Sequence, residues 1–245
     1  MPGDVVEIEL PGSPSAIIVC RAVLFDLDGT LVDSRACVEK TWRTWCDRHG
    51  LDGDLVLQLS PGRQQHATIA MAAPHLDPGA ESVWLRQAEE NCREGIAPVP
   101  GARCLLAALS AGQWAVVTSA WRRLAEIRLS AAGLTLPRVL VTADEVPASK
   151  PSPDGYLLAA ERLGVRPADC LVIEDTPVGV AAGQAAGMRT IAITTTFGSE
   201  QLAGDHHIAD YLGIRVRAER PEFLFSSGSS IGRSGEMTAF WWRVF

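Results

Sequence analysis

Five short runs of nearly continuous apolar residues punctuate the chain: RAVLFD (21–26), WAVVTS (114–119), RVLVTA (138–143), CLVIED (170–175) and RTIAITTT (189–196). Such runs are the pattern of strands covered on both faces in a parallel sheet. Helix-like segments lie between the later ones. Residues 101–111 end at Gly112, 121–132 at Gly133 and 154–163 at Gly164. After Asp175, Thr176 is an N-cap, Pro177 takes the first helical position and Gly187 lies past the end. Strand and helix therefore alternate from about residue 100 to 200. That alternation predicts an α/β fold, a doubly wound parallel-sheet, Rossmann-like core.

One interval breaks the alternation. Almost ninety residues separate Asp26 from Trp114, far too many for one crossover. They include Val38, Trp42, Trp45, Cys46 and His49 at helical spacing along one face. Further helix-like pieces follow at 64–72 and 81–94, and the Pro-rich stretch APVPG closes the interval. The economical reading is a small α-helical domain inserted after the first strand and joined by two linkers. The expected organisation is a leader at 1–19, a core at 20–33 and 97–213, an inserted domain at 34–96 and a tail at 214–245. Residues 221–245 have a Ser/Gly-rich middle and an aromatic tip, and read as flexible in preference to a docked or dimerising segment. No internal repeat is visible.

Composition narrows the classes of function. The formal charge is −7, from 22 basic and 29 acidic residues, with no basic run, so nucleic acid is not an expected partner. No apolar stretch is long enough to span a bilayer, so no membrane association is expected. The N-terminus carries acids and prolines ahead of its apolar part and lacks a basic leader, so no signal peptide is expected. The six cysteines (20, 37, 46, 92, 104 and 170) form no CxxC pair, and most sit in apolar or amphipathic runs. The expectation is reduced, largely buried thiols in a cytoplasmic protein.

In an open parallel sheet, ligands bind at the carboxyl ends of the strands. The first strand delivers Asp26 and Asp28 there, the second Thr118 and Ser119, and the fourth Glu174 and Asp175; Lys150 lies in the loop after the third. Each alone has an ordinary structural reading as an Asx turn, a helix cap or a solvated loop residue. Together they put three or four carboxylates at one edge, which cannot all stay ionised at short range without a cation. A hard, oxygen-only donor set suits Mg²⁺ completed by a substrate phosphate. Lys150 and Thr118 then supply a positive charge and a hydroxyl donor for a phosphoryl group. Lysine is scarce: the 22 basic residues include only Lys40 and Lys150.

FDLDGTLVDS, VVTSA, SKPSPDGYLLAAERLG and LVIEDTPVGVAAGQAAGM, in this order, resemble the four motifs of the haloacid dehalogenase superfamily over roughly residues 20–213. The insertion resembles a helical C1 cap. CVEKTWRTWCDRHGLDGDLVLQLSPGRQQ, EGIAPVPGA and VTADEV are most similar to small sugar-phosphate and polyol-phosphate phosphatases. The resemblance implies that Asp26 is the nucleophile of an aspartyl-phosphate mechanism and Asp28 the general acid and base. It implies metal ligation by Asp26, Asp175 and the main-chain carbonyl of Asp28, with Glu174 either a further ligand or a support for one, and phosphoryl oxygens held by Thr118 and Lys150. Asp33 is expected to cap the first cap helix.

Substrate choice is expected to lie in the cap. The SPGRQQH loop (60–66) offers Gly62 to turn inward and Arg63 to meet a polar ligand, with Ser119 opposite on the core side. His66 reads as structural, and His206 and His207 as a surface pair. The expected partner is a small phosphorylated metabolite, acting on a monomer or homodimer. Two alternatives share the core: a β-phosphoglucomutase-like phosphotransferase, and a non-catalytic phosphate-binding regulatory module.

Overall fold

The computed structural model describes residues 5–11, 17–218 and 242–243. Two short strands come first, β1 (Val6–Glu9) and β2 (Ile17–Cys20), and β3 (Ala22–Phe25) enters the main sheet. β4 (Val32–Asp33) leads into α1 (Arg35–His49), α2 (Gly53–Leu59), α3 (Gln65–Ala72) and α4 (Pro78–Asn91), and β5 (Ala97–Pro98) leads out. The alternation follows with α5 (Ala102–Ala108), β6 (Trp114–Val117), α6 (Arg122–Ala131), β7 (Val139–Val141) and α7 (Asp154–Leu163). It continues through β8 (Cys170–Glu174), α8 (Pro177–Ala185), β9 (Arg189–Ile193) and β10 (His206–Ile208). Last come β11 (Arg215–Ala218) and β12 (Trp242–Arg243).

Among the described residues the main sheet has six strands in the order β10-β9-β8-β3-β6-β7, and every neighbouring pair is parallel. The chain winds from β3 to β7 on one side, then crosses to β8 and continues on the other. The order therefore reverses between β3 and β8, where doubly wound sheets bind ligands. Successive residues explain the continuous apolar runs. Val23 and Phe25 pack into a cluster with α5 and α6, while Ala22 and Leu24 pack into another with Tyr156 and Ala159 of α7 and Ala182 of α8. Both faces of β3 are dry, so a polar residue within it would cost more than it does at the strand's end. β10 is a sixth strand that the apolar pattern did not show, because HHI lacks a continuous apolar run.

The helical insertion has its own core of Trp42, Trp45, Cys46, Val56, Ile69, Ala73 and Leu85. Trp42 and Trp45 meet edge to face, with ring centroids 5.5 Å apart. α1 stops at Gly50, whose φ of 64° lets its N–H reach back to the Cys46 carbonyl. Asp52 caps α2 by accepting the N–H groups of Asp54 and Leu55. The two linkers pair as an antiparallel ribbon, Val32 with Pro98 and Asp33 with Ala97. Asp33 accepts the N–H of Arg35 at 3.2 Å and holds its guanidinium at 2.7 Å, so it does bond the start of α1.

Two expectations need revision. The segment read as a leader contributes β1 and β2, which pair with each other and, through β1, with β11 from the segment read as a tail. β12 extends this antiparallel sheet beside β11. Val6, Ile8, Ile18 and Val216 lie in the same apolar cluster as Phe25, so this sheet is part of the core. The flexible reading of 221–245 disagrees with residues 242–243, which pair with β11; residues 219–241 and 244–245 lie outside the described residues. Second, Cys37 and Cys92 form a disulfide, where six reduced thiols were expected. They are 55 residues apart, and packing of α1 beside α4 brings their Cα atoms to 5.7 Å. Cys20, Cys46 and Cys170 are free and buried, and Cys104 is free and exposed. Among the described residues no helix is long and apolar enough to cross a membrane.

Ile8 is 1% exposed on β1. Ile8→Ala is expected to lower unfolding free energy by about 2–5 kcal/mol, as buried large-to-small substitutions do, measured by urea denaturation. A loss under about 0.5 kcal/mol would show that β1 does not belong to the cooperative core.

Candidate functional site

Asp26 directly follows β3, and its N–H still donates to the Ile173 carbonyl of β8 at 3.0 Å. The aspartate is thus held in register at the sheet's edge with its side chain beyond the last apolar pair. Below it, Phe25 is clamped edge-on by Trp114 and Tyr211. The loop then turns at Gly29, whose φ is +85°. A Cβ there would lie 2.0 Å from Oδ2 of Asp175, so glycine is required by both conformation and space. Thr30 Oγ1 donates to Oδ1 of Asp175 at 3.2 Å, and Tyr211 supports the loop by donating to the Thr30 carbonyl.

β8 brings the second pair. Glu174 is fully buried and almost completely bonded. Its Oε1 accepts Lys150 Nζ at 2.5 Å and the Tyr156 hydroxyl at 2.9 Å. Its Oε2 accepts the N–H groups of Asp175 and Thr176 and the Thr176 hydroxyl. Thr176 also caps α8 by accepting the Gly179 N–H, with Pro177 at the first helical position. Lys150 bridges the two strands: its Nζ lies 2.5 Å from Asp26 as well as from Glu174, and it donates to the Val117 carbonyl at 3.1 Å.

Asp26, Glu174 and Asp175 each offer a carboxylate oxygen within 4.8 Å of the others, and all three are buried. With these protein groups alone, burial pushes Asp26 well above the usual carboxylate range, against the opposing charge of Lys150. Burial and then the Glu174 charge push Asp175 up to about 7, against hydrogen bonds from Thr196 and Thr30. Ionising all three beside one ammonium would leave an excess of two negative charges, and their donors are all hard oxygens. That set fits a divalent cation of the Mg²⁺ type.

The cluster opens into a cavity of about 360 Å³ lined by both the sheet edge and the helical insertion. Thr118 lines it; its Oγ1 accepts the Ala120 N–H at 3.1 Å, so its hydroxyl proton is available to a ligand. Ser119 lines it too, and its hydroxyl donates to the Gly62 carbonyl at 2.9 Å, tying the insertion's loop to the core. Gly62 has a φ of +73°, and a Cβ would lie 2.6 Å from Val178 and 2.7 Å from the Thr176 hydroxyl. Arg63 lines the cavity, with one guanidinium nitrogen donating to the Leu59 carbonyl at 2.7 Å.

The Asp28 carboxylate stands apart from the cluster of three. Oδ1 accepts the Ser34 hydroxyl at 2.6 Å, and Oδ2 is paired with Arg128. Ser34 occupies the N-cap position of α1 but makes no side-chain cap bond, so its hydroxyl serves Asp28 instead. Arg128 also reaches Glu89 of α4 at 3.3 Å, and Glu89 accepts Gln65 of α3 at 2.8 Å. Sequence reading missed Arg128, Glu89, Gln65 and Tyr156. A signal existed for two of them: Arg128 lies on the face of Leu124, Ala125 and Leu129, and Glu89 falls one turn after Leu85. A charge within an apolar stripe needs a partner.

Residues 20–187 match the family described as haloacid dehalogenase-like hydrolase. Hexitol phosphatase A of Escherichia coli K12 is 46% identical over 179 residues, covering 71% of this chain and 83% of its own length. Glycerol-1-phosphate phosphohydrolase 2 of Saccharomyces cerevisiae is 33% identical over 84% of this chain and 90% of its own. A hydrolase of known structure from Pseudomonas syringae superposes with a TM-score of 0.69 at 27% identity, covering 77% of this chain and 92% of its own.

Burial pushes the Glu89 carboxyl up to about 7 despite the neighbouring Arg128. Raised above its unfolded value, this group contributes stability that is complete below about pH 4.5 and lost as pH rises through about 7. Between pH 5 and 8 the wild type is expected to lose up to about 3 kcal/mol by this route. Glu89→Gln, which cannot titrate, should lose less over the same interval in urea unfolding. An equally steep fall in the variant would assign the pH dependence to other groups.

Proposed function

Since this chain belongs to the haloacid dehalogenase-like hydrolases, we propose that it hydrolyses the phosphate monoester of a small sugar or polyol, with Mg²⁺ as cofactor. The observation that carries this reading is the Asp26 carboxylate at the cavity end of β3, 2.5 Å from Lys150 and clustered with Glu174 and Asp175. The substrate class is supported by the named relatives, which are a hexitol phosphatase and a glycerol-1-phosphate phosphohydrolase. It is also supported by the size of the cavity and its mixed wall, where Trp42 and Trp121 stand beside Arg35, Glu39 and Gln65.

In this reading a carboxylate oxygen of Asp26 attacks phosphorus, and the bond from phosphorus to the sugar oxygen breaks. Asp28 gives its proton to the departing alkoxide, then takes one from the water that cleaves the aspartyl-phosphate. Inorganic phosphate leaves and Asp26 is regenerated. Thr118 donates its hydroxyl to a phosphoryl oxygen, and Lys150 neutralises charge there while holding Asp26 beside Glu174. Asp26, Asp175, Glu174 and the Asp28 main-chain carbonyl would hold the metal. Bound Mg²⁺ would supply neutralisation of the charge on the phosphoryl oxygens. Glu174 already accepts five hydrogen bonds, so much of its work is to orient Lys150 and the turn into α8. The helical insertion at 34–96 acts as the cap that selects the substrate, through the loop of Gly62 and Arg63, with Ser119 fixing that loop.

Asp26→Asn is expected to abolish turnover, by at least about a thousandfold, while leaving the melting temperature near that of the wild type. EDTA should silence the wild type and Mg²⁺ restore it. Steady-state activity of Asp26→Asn within tenfold of wild type would remove Asp26 as nucleophile. Arg63→Ala is expected to lower kcat/KM for a preferred polyol phosphate by about tenfold, the cost of one charged hydrogen bond, with p-nitrophenyl phosphate little affected. An equal fall on both substrates would instead make Arg63 a support of the cap.

A further inference from the structure

Arg128 is 4% exposed, yet it sits on α6 and lines the cavity. Its guanidinium is divided between two carboxylates from different parts of the fold. One nitrogen donates to Oδ2 of Asp28 in the core loop, and another to Oε1 of Glu89 on α4 of the insertion. Glu89 is itself 6% exposed, and its second oxygen accepts Gln65 of α3. The other oxygen of Asp28 accepts the hydroxyl of Ser34, the residue from which α1 starts. Of the two groups that fix the Asp28 carboxylate, Ser34 stands at the entrance to the insertion, and Arg128, on the core helix α6, is bonded to the insertion through Glu89. A guanidinium suits this bridge, because its planar fork presents separate donors in fixed directions.

We propose that Arg128 is a positioning residue that aims Asp28 at the leaving-group oxygen, and does so through its second bond to Glu89. Seating of the insertion over the cavity and alignment of the proton-transfer group are then one event. With Glu89 gone, the buried guanidinium keeps one carboxylate and turns towards it, drawing Asp28 aside. The inference rests on the reading of Asp28 as the group that protonates the departing alkoxide.

Its signature is dependence on the leaving group, which a structural brace would not produce. A hexitol phosphate leaves as a poor alkoxide that needs a proton, whereas p-nitrophenolate needs little help. Single-turnover rates of the phosphorylation step are measured with both substrates and saturating Mg²⁺. The proteins are wild type, Asp28→Asn, Arg128→Met, Arg128→Lys, Glu89→Ala and the double variant Arg128→Met/Glu89→Ala. Arg128→Met keeps much of the buried volume; if it does not fold, Glu89→Ala and Arg128→Lys carry the test.

Arg128→Met and Glu89→Ala are each expected to slow the hexitol phosphate at least about tenfold more than p-nitrophenyl phosphate, a part of the 10²–10⁴ that positioned acid–base groups supply. The loss should fall on the maximal rate more than on the half-saturating concentration. Arg128→Lys should remain impaired, since one ammonium cannot reproduce the fork. The double variant should be no slower than Arg128→Met, because the two residues act in series. Equal losses on both substrates, or additive losses in the double variant, would overturn the inference. Asp28→Asn separates the two levels: if it discriminates between substrates and Arg128→Met does not, the inference alone fails. If Asp28→Asn does not discriminate, the role given to Asp28 fails and takes the inference with it.

Discussion

Three carboxylates and one ammonium share a buried space at the ends of β3 and β8, and much of the surrounding chain exists to make that tolerable. Lys150 reaches both Asp26 and Glu174 at 2.5 Å. Glu174 is further compensated by main-chain N–H groups at the start of α8, where partial positive charge gathers. Removing Lys150 would leave buried carboxylates on both strands uncompensated, which is costlier than never having buried the pair. With three carboxylates to one ammonium, the set suits a bound cation better than it suits a closed structural ion pair. Gly29 follows from the same crowding, because a side chain there would occupy the position of the Asp175 carboxylate.

The second dependence is that the cavity belongs to neither part of the fold alone. The sheet edge supplies charge, and the insertion supplies the opposite wall. Their join is polar and directional: Ser119 to Gly62, Trp121 and Arg123 to Glu90, and Arg128 to Glu89. A join of this kind specifies one seating without the large apolar interface that would weld two bodies together. The paired linkers, β4 with β5, and the Cys37–Cys92 bridge lie at the base of the insertion. Both brace the insertion where it leaves the core.

The outer sheet has a different task. β1, β2 and β11 cover the side of the core on which Phe25 and Ile173 lie, with Val6, Ile8 and Val216 fully or almost fully buried. Tyr211, just before β11, touches Phe25 and donates to the Thr30 carbonyl. Chain ends distant in sequence therefore support the loop that carries Asp28 and Gly29. That support is apolar packing and one hydrogen bond, from the Tyr211 hydroxyl to the Thr30 carbonyl.

The sequence by itself determined the layered α/β core, because strands buried on both faces must be written as continuous apolar runs. It also determined the carboxylates, Lys150 and Thr118 at one edge, because every strand of a parallel sheet ends on the same side. The insertion was legible from the break in alternation and from the spacing of Trp42, Trp45 and Cys46. Local pattern could not reveal contacts between segments far apart in the chain. The pairing of β1 with β11 spans nearly the whole chain, and four-residue strands carry too little periodicity to announce themselves. The disulfide needed α1 and α4 side by side, and the partners of Asp28 needed α6 and α4 to meet above the sheet. Which cysteines touch, where Arg128 divides its charge and which way Ser119 turns are matters of packing. Only the tertiary structure decided them, because each depends on residues 39 to 100 positions apart being brought within a few ångströms.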